Sequence, residues 1–205
     1  MLIVGLTGSI GMGKSTAAAY LRKRGMPVFD ADAEVHRLYA GQKAVERIEL
    51  AFPGVTTLEG VDRGRLSAAL IAHPERLREL EAIVHPLVRE SERSFLRAEA
   101  RRGTEIAVLE IPLLFETGAN KLVDAAIVLS APAEIQHERL ATRPGMTPEK
   151  LKGLLARQMP DAEKRERADF IVDTGSGMAS SEAHLDRIIA ELQTWSGQAF
   201  AREWA

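Results

Sequence analysis

The chain has 205 residues, of which 45% are hydrophobic and 27% charged, a composition typical of one globular domain with insertions. Its formal net charge of −2 argues against nucleic acid or an anionic membrane as a partner, and no apolar run approaches the ~20 residues that span a bilayer. The absence of cysteine excludes disulfides, thiolate chemistry and cysteine-ligated metals, and we expect a cytoplasmic protein that is monomeric or weakly homo-oligomeric.

A glycine-rich turn follows the first apolar run of the chain. Residues 2–6 predict a buried strand, and residues 15–24 predict a helix that Gly25 ends. Between them, Gly8-Ser9-Ile10-Gly11-Met12-Gly13-Lys14-Ser15 matches the pattern G-x-x-x-x-G-K-S/T. A chance match is expected in on the order of one chain in a hundred of this length. Because a strand, such a turn and a helix start direct backbone N–H groups at one anion, the motif predicts binding of a nucleoside triphosphate.

Different residues of this loop are expected to bind different parts of the triphosphate and its metal ion. The backbone from Gly8 to Gly13, with Thr16 just beyond, surrounds the phosphates. Lys14 reaches the β- and γ-phosphates, and the Ser15 hydroxyl ligates Mg²⁺. We therefore expect Lys14 to act in catalysis and Mg²⁺ to be a cofactor.

Asp30 and Asp32 follow the second apolar run, at the edge where parallel sheets place their ligands. On extended backbone, residues i and i+2 point to the same side, so both carboxylates would face the phosphate site. A kinase that phosphorylates an alcohol needs a base beside the γ-phosphate, and Asp32 is the candidate. Asp30 could instead assist Mg²⁺ or hold neighbouring backbone. The residues alone favour equally the alternative that Asp-Ala-Asp only caps a helix beginning near Ala33.

Residues 62–103 predict an inserted helical subdomain. A stripe of apolar residues recurs there at helical spacing: Leu77, Leu80, Val84, Leu87 and Val88. Pro86 should kink or break this helix at His85. A lone histidine in such a stripe is more often buried and hydrogen-bonded than catalytic. The insertion is interpreted as an acceptor-binding subdomain, with additional solvated helices as the alternative.

Glu110 ends the apolar run of residues 106–109. An acidic residue at the end of a strand beside a phosphate loop positions Mg²⁺ or its water, and the length of Glu indicates contact through water. The segment Pro112-Leu113-Leu114-Phe115-Glu116 follows. Its proline and leucines predict a pocket wall, and Glu116 is open to a structural role.

Arg139 and Arg143 are four residues apart in a helix predicted to begin near Pro132, so they share one face. Such arginines stabilise the charge of a transferring phosphoryl group and bind donor phosphates, whereas a solvated basic face is the alternative. Residues 137–167, with a turn at Pro144-Gly145 and a helix start at Thr147-Pro148, predict a lid. Other cations of this segment are equal candidates: Lys150, Arg157, Lys164 and Arg165.

Five apolar runs alternate with helical patterns along the chain: residues 2–6, 28–30, 106–110, 125–129 and 170–172. Continuous apolar strands separated by helices indicate a parallel sheet that is covered on both faces. The sequence therefore predicts a three-layer α/β core with a five-stranded parallel sheet, formed by about 1–61 and 104–205, with a helical acceptor-binding subdomain and a lid attached.

Taken together, these segments resemble the dephospho-coenzyme A kinase family. The residues that carry the resemblance run in order from residue 4 to about 173: Gly5-Leu6-Thr7 with the phosphate loop, Asp30-Ala31-Asp32, Arg63 with Leu66, His85-Pro86, Pro112-Leu113-Leu114-Phe115-Glu116, Gln136, Arg139, Arg143, Gln158 and Ala168-Asp169-Phe170-Ile171-Val172-Asp173. Many nucleotide-binding proteins share the loop. The His-Pro pair and Pro-Leu-Leu-Phe-Glu in this order are far more specific.

The resemblance implies ATP-dependent phosphorylation of the ribose 3′-hydroxyl of dephospho-coenzyme A, the last step of coenzyme A synthesis. It implies Asp32 as the base and Arg139 as a phosphate-binding lid arginine. It further implies an acceptor site formed by His85, Pro112, Leu113, Leu114 and Glu116. Two departures stand out: Ser9 where the family often has Gly, and Thr174 where it tends to have Asn. The second departure puts adenine recognition by a side-chain amide in question.

Three other functions compete with this interpretation. Another small-molecule kinase on the same core would share the loop and the arginines, but not His85-Pro86 with Pro112–Glu116. A regulatory GTPase needs Asn-Lys-x-Asp to read guanine, whereas the chain's only asparagine lies in Asn120-Lys121-Leu122-Val123-Asp124, one residue too long. A noncatalytic ATP-binding module has no need of Asp32 and Arg139 beside an intact loop.

Overall fold

The computed structural model describes residues 1–143 and 146–205, with the side chains of 148–150 excepted, so the predicted Pro144-Gly145 turn lies outside the described residues. Within these ranges the strands are β1 Leu2–Thr7, β2 Val28–Asp30, β3 Thr56–Thr57, β4 Gly60–Val61, β5 Ile106–Glu110, β6 Ala125–Ser130 and β7 Phe170–Asp173. The α-helices there are α1 Lys14–Lys23, α2 Ala31–Tyr39, α3 Gln42–Ala51, α4 Arg63–Ala72, α5 Leu77–Arg101, α6 Ala133–Ala141, α7 Pro148–Leu155, α8 Asp161–Glu166 and α9 Met178–Leu192. Short 3₁₀ turns span Pro74–Arg76 and Ala119–Leu122, and a π-helical turn spans Phe200–Trp204. No helix among the described residues combines the length and apolarity of a membrane span.

The predicted five-stranded sheet is confirmed, with strand order β2-β5-β1-β6-β7. β1 pairs in parallel with β5 and β6, and β6 pairs in parallel with β7. Every residue of β1, β5 and β6 is buried, because both faces of these strands are covered. Val4 and Leu6 share a core with apolar residues of α1 and α9. Gly5 points to the opposite face, where a Cβ would lie 2.9 Å from a Leu114 methyl group.

The chain divides into two compact units, 1–29 with 96–205 and 30–95. The second unit has its own apolar core, in which Ala44, Ile48 and Phe52 of α3 pack with Leu66 and Leu80. Residues 30–61, expected in the sheet domain, therefore belong to this helical unit apart from the β2 contribution of Asp30. The sequence missed this because the partners of α3 in this core include Leu66 and Leu80, which lie in the segment predicted as a separate subdomain.

The expected break of the helix at Pro86 does not occur. α5 runs without interruption from Leu77 to Arg101 and carries Pro86 inside it. A proline inside a helix costs about 3 kcal/mol through the lost hydrogen bond and ring clash. Val84 and Leu87, on either side of it, are buried in the core of the helical unit, and this packing outweighs the local cost.

The C-terminal segment packs on the sheet-containing unit. Trp204 is 1% exposed, and its indole N–H donates to the Leu122 carbonyl at 2.8 Å. Asp124 accepts three backbone N–H groups: Ile3 at 2.8 Å through one oxygen, and Gln198 and Ala199 at 2.7 Å through the other. One carboxylate thus joins the start of β1 to the end of the chain.

We expect Asp124→Ala to lower the free energy of unfolding by about 2–4 kcal/mol, since it removes three charge-assisted hydrogen bonds to backbone. In a chain of this size the melting temperature would fall by roughly 5–10 °C. Thermal melts followed by circular dichroism measure the change. Asp124→Asn is the matched control, because it keeps an acceptor oxygen and should lose clearly less. Equal melting temperatures for Asp124→Ala and the unmodified chain would contradict the assignment.

Candidate active site

The glycine-rich loop joins the central strand β1 to helix α1. Gly13 immediately precedes α1 with φ 83°, a left-handed conformation that favours glycine. A Cβ on Gly8 would lie 2.5 Å from the Leu129 carbonyl oxygen, so only glycine fits there as well. The Lys14 ammonium folds back over the loop and donates to the Gly8 carbonyl at 2.7 Å. The first turn of α1 has no acidic residue, which leaves its positive end directed at the loop.

Two glutamines hold the middle of the loop. The Gln136 amide on α6 donates to the Ile10 carbonyl at 2.7 Å, and the Ile10 N–H donates to the Gln158 side chain at 3.0 Å. Gln136 directly precedes the predicted lid of residues 137–167 and Gln158 lies within it after α7, so the loop contacts both the start and the interior of that segment. The sequence placed both glutamines in the family pattern but gave no sign of these contacts, because they join residues more than 120 positions apart.

Arg139 of α6 lies directly against the loop. Its guanidinium donates to the Gly11 carbonyl at 3.2 Å, to the Thr174 hydroxyl at 3.0 Å and to the Thr174 carbonyl at 2.5 Å. The prediction that Arg143 shares its helical face is wrong, because α6 ends at Ala141 and Arg143 lies beyond it. Of the two arginines, the fold thus fixes Arg139 at the phosphate loop.

A cavity of about 290 Å³ opens beside the start of α1. It is lined by residues of α1, α9 and the segment after β7, among them Gly13, Thr16, Tyr20, Arg139, Thr174 and Met178. A hydrogen bond to Asp186 raises the pKa of Tyr20, which keeps the phenol protonated. Hydrogen bonds from the Ser176 hydroxyl and the Gly175 N–H lower the pKa of Asp173, the last residue of β7. The volume is close to the lower end of known small-molecule sites.

Glu110 ends β5 next to the central strand. It is 6% exposed and lies in register with Leu6, two residues before the loop begins. Ser15 is exposed in the first turn of α1. Among the residues that the structure describes, no three histidine, aspartate or glutamate side chains converge on a metal position. The predicted magnesium ligands Ser15, Glu110 and Asp30 stay predictions.

The segment Pro112–Glu116 is tied to the core more firmly than the sequence implied. Leu114 has no exposed surface and packs over Gly5, so contact of this side chain with an acceptor is not supported. Glu116 accepts from the Met159 N–H at 2.7 Å and pairs with Lys164 at 2.9 Å. Lys164 is fully buried in this pair and is therefore no candidate for binding a donor phosphate, contrary to expectation. The side chain of Lys150 lies outside the described residues.

Asp30, Asp32 and His85 belong to the helical unit. The Asp30 side chain accepts from the Ala33 N–H at 2.9 Å and so caps α2, as the structural alternative held for this residue. Asp32 is already in the first helical turn, so the expected extended backbone from Asp30 to Asp32 is wrong; its carboxylate is exposed. His85 is exposed on α5 rather than buried in the apolar stripe.

A phosphate loop after the central strand of a parallel sheet, with a lysine folded over it and an arginine fixed beside it, defines a P-loop kinase. A solved structure shows the same fold. A shikimate kinase from Acinetobacter baumannii shares the fold, with 18% identity and a TM-score of 0.52 over 93% of this chain and 94% of its own. The dephospho-CoA kinase family model matches residues 2–180. The chain belongs to the dephospho-CoA kinase family, whose reaction is the final step of coenzyme A synthesis.

Relatives from several bacteria agree with this assignment. Dephospho-CoA kinase of Brucella melitensis is 55% identical over 194 residues, 95% of this chain and 94% of its own length. That of Mesorhizobium japonicum is 51% identical over 197 residues, 96% of this chain and all of its own. Among solved structures, dephospho-CoA kinase from Campylobacter jejuni is 26% identical, with a TM-score of 0.70 over 93% of this chain and 96% of that one.

Proposed function

We propose that this chain transfers the γ-phosphoryl group of ATP to the ribose 3′-hydroxyl of dephospho-coenzyme A, with Mg²⁺ as the cofactor. The observation that carries the proposal is the phosphate loop with Lys14 and Arg139 on its backbone carbonyls. Both cations are held at the loop by hydrogen bonds to Gly8 and Gly11. Fixed positive charge at that position stabilises a transferring phosphoryl group without reorganisation.

The donor would bind by its phosphates at the loop and by its nucleoside in the adjacent cavity. The N–H groups at the start of α1, with Thr16 at its first turn, face this region. The Ser15 hydroxyl would ligate Mg²⁺ directly and Glu110 through water, the arrangement common to P-loop enzymes. Arg143, exposed beyond α6, is assigned to the donor phosphates as well.

The acceptor would be handled by the residues to which the family resemblance assigns this role. Asp32 takes the proton of the 3′-hydroxyl as the nucleophile attacks; its exposed carboxylate is available for this role. His85, also exposed, contributes to acceptor binding together with Pro112, Leu113 and Glu116. Since Glu116 is paired with Lys164, we assign it to holding the acceptor segment in place.

The predicted lid of residues 137–167 would exclude water from the transfer and so limit hydrolysis of ATP. Its ends are held on the sheet-containing unit. Arg139 is bonded to the loop, and Asp161 at the other end accepts from the Ser130 hydroxyl at 2.7 Å. Lys164 is buried in its pair with Glu116. We therefore expect Arg139, Asp161 and Lys164 to stay in place when the lid closes, so that only the residues between these ends move.

An assay of ADP formation across several acceptors tests the function. Dephospho-coenzyme A, adenosine, nucleoside monophosphates and shikimate are supplied in turn with ATP and Mg²⁺. We expect turnover with dephospho-coenzyme A that exceeds turnover with each other acceptor by orders of magnitude. Phosphorylation at the ribose 3′ position is verified in the product by phosphorus NMR. Equal ADP formation without any acceptor would contradict the proposal and indicate an ATPase.

Arg139→Ala should lower kcat by one or more orders of magnitude, the range for arginines that stabilise phosphoryl transfer. Steady-state kinetics with dephospho-coenzyme A measure the loss, and circular dichroism checks the fold. Arg187→Ala on α9 is the control, because Arg187 is exposed and its side chain bonds to the Ala183 carbonyl of its own helix. Equal kcat values for the two variants would limit Arg139 to a structural role at the loop.

A further inference from the structure

Thr174 is the first residue after β7 and lies between the phosphate loop and Arg139. It is 9% exposed. Its N–H donates to the Ser130 carbonyl at 2.8 Å, and its own carbonyl accepts from Arg139 at 2.5 Å. The backbone N–H and the carbonyl group of Thr174 are therefore both held by hydrogen bonds.

The Thr174 hydroxyl uses both its donor and its acceptor capacity within the site. Its proton is shared between the carbonyl oxygens of Met12 and Ser130, each at 3.2 Å. Because the proton is directed at these carbonyls, a lone pair is left to accept from Arg139 at 3.0 Å. The Arg139 nitrogen that makes this bond also donates to the Gly11 carbonyl. The guanidinium is thus held between Thr174 and the loop.

The loop side of this junction is also rigid. The Met12 side chain is 2% exposed in the sheet core, and its sulfur accepts from the Ala131 N–H at 3.1 Å. Its carbonyl, one residue before Gly13, receives the Thr174 hydroxyl. Gly13 itself approaches Thr174 closely enough that an added Cβ would lie 3.7 Å from the threonine side chain. A change at residue 174 therefore acts on the loop and on Arg139 together.

We propose that Thr174 is a positioning residue for phosphoryl transfer. Its hydroxyl orients the Arg139 guanidinium toward the loop and fixes the Met12 carbonyl. This inference rests on the proposed function, because it takes Arg139 as the arginine that stabilises the transferred group. It has a consequence for base recognition: the hydroxyl proton is engaged inside the site, so any acceptor atom of the purine is bound by other groups of the cavity.

The test is a double-mutant cycle with a conservative rescue. Thr174→Val keeps the shape of the side chain and removes the hydroxyl, whereas Thr174→Ser keeps the hydroxyl. We expect Val to lower kcat roughly tenfold, as for loss of a hydrogen bond to a charged group, while the KM for dephospho-coenzyme A stays within about twofold. Ser should restore kcat to within about twofold of the unmodified chain. In the Arg139→Ala background, Val should cause a clearly smaller loss, since the part of its effect that passes through that guanidinium is already gone.

Binding of a non-hydrolysable ATP analogue, measured by calorimetry without acceptor, gives a second reading of the cycle. The coupling between residues 139 and 174 is calculated from kcat or from the affinity for the analogue, depending on which of the two Arg139→Ala lowers. Thr174→Ala replaces Val in the cycle should Val fail to fold in a thermal melt. Independent effects of the two substitutions, equal losses for Ser and Val, or no effect of Arg139→Ala on either quantity would overturn the inference. A chain that binds the analogue with the expected coupling yet leaves dephospho-coenzyme A unphosphorylated would instead contradict the proposed function alone.

Discussion

Lys14→Ala should reduce kcat/KM for phosphoryl transfer on the order of a thousandfold or more, as expected when a fixed positive group that stabilises transition-state charge is removed. The Lys14 ammonium lies on the Gly8 carbonyl at 2.7 Å, folded over the loop that would hold the β- and γ-phosphates. Without it, the loop amides would retain part of the binding of the triphosphate, but the fixed positive charge of Lys14 would be lost from the site of transfer. Steady-state assays over a range of ATP concentrations separate the loss in kcat from the loss in affinity.

The matched control for this variant is Lys23→Ala. Lys23 is exposed in the last turn of the same helix, so the substitution removes the same charge from α1 at its far end. We expect its kinetics to remain within about twofold of the unmodified chain, as is usual for exposed surface changes. Should Lys14→Ala keep a tenth or more of the original kcat/KM, the loop would not be the site of the donor phosphates.

The sheet could be predicted from the sequence because its information is local. β1, β5 and β6 are continuous apolar runs, and a strand buried on both faces requires such a run wherever it occurs. The phosphate loop is local as well, since a short glycine-rich sequence determines both its conformation and its chemistry. The family and the fold could therefore be predicted from the sequence alone.

The errors arose where distant contacts decide the outcome. Whether Lys164 faces solvent or pairs with Glu116 depends on residues 48 positions apart, and nothing in its neighbourhood marks the difference. The same holds for Thr174, which appeared in the sequence only as a replacement for asparagine. Its hydroxyl meets the loop more than 160 positions away along the chain. The helix boundaries at Asp30 and Ala141 moved two candidate residues off the elements assumed for them.

The shifted start of α2 bears directly on the base. With Asp30 as the N-cap, the extended-backbone argument that aimed both carboxylates in one direction no longer applies. It also separates their roles, because the capping carboxylate is engaged with the Ala33 N–H while Asp32 stays exposed in the first turn. The sequence favoured helix capping and proton transfer equally for this pair of aspartates. In the structure Asp30 caps the helix, which leaves Asp32 as the candidate for proton transfer.

Asp32→Asn should therefore lower kcat roughly 100- to 10,000-fold, the range of a general base, with the KM for ATP unchanged because the donor phosphates are bound by the loop. Asn is close in shape but is neutral and a poor proton acceptor. The same change removes a favourable negative charge from the start of α2, which costs only about 0.3–1 kcal/mol of stability.

Glu34→Gln separates the loss of stability from the loss of the base, since it removes a negative charge from the same turn, where Glu34 pairs with Arg37. We expect that control to melt at a lower temperature and to keep its kcat. A turnover by Asp32→Asn close to that of the unmodified chain would contradict the assignment of Asp32 as the base. The proton acceptor would then be water or a phosphate of the acceptor, since Asp30 caps α2.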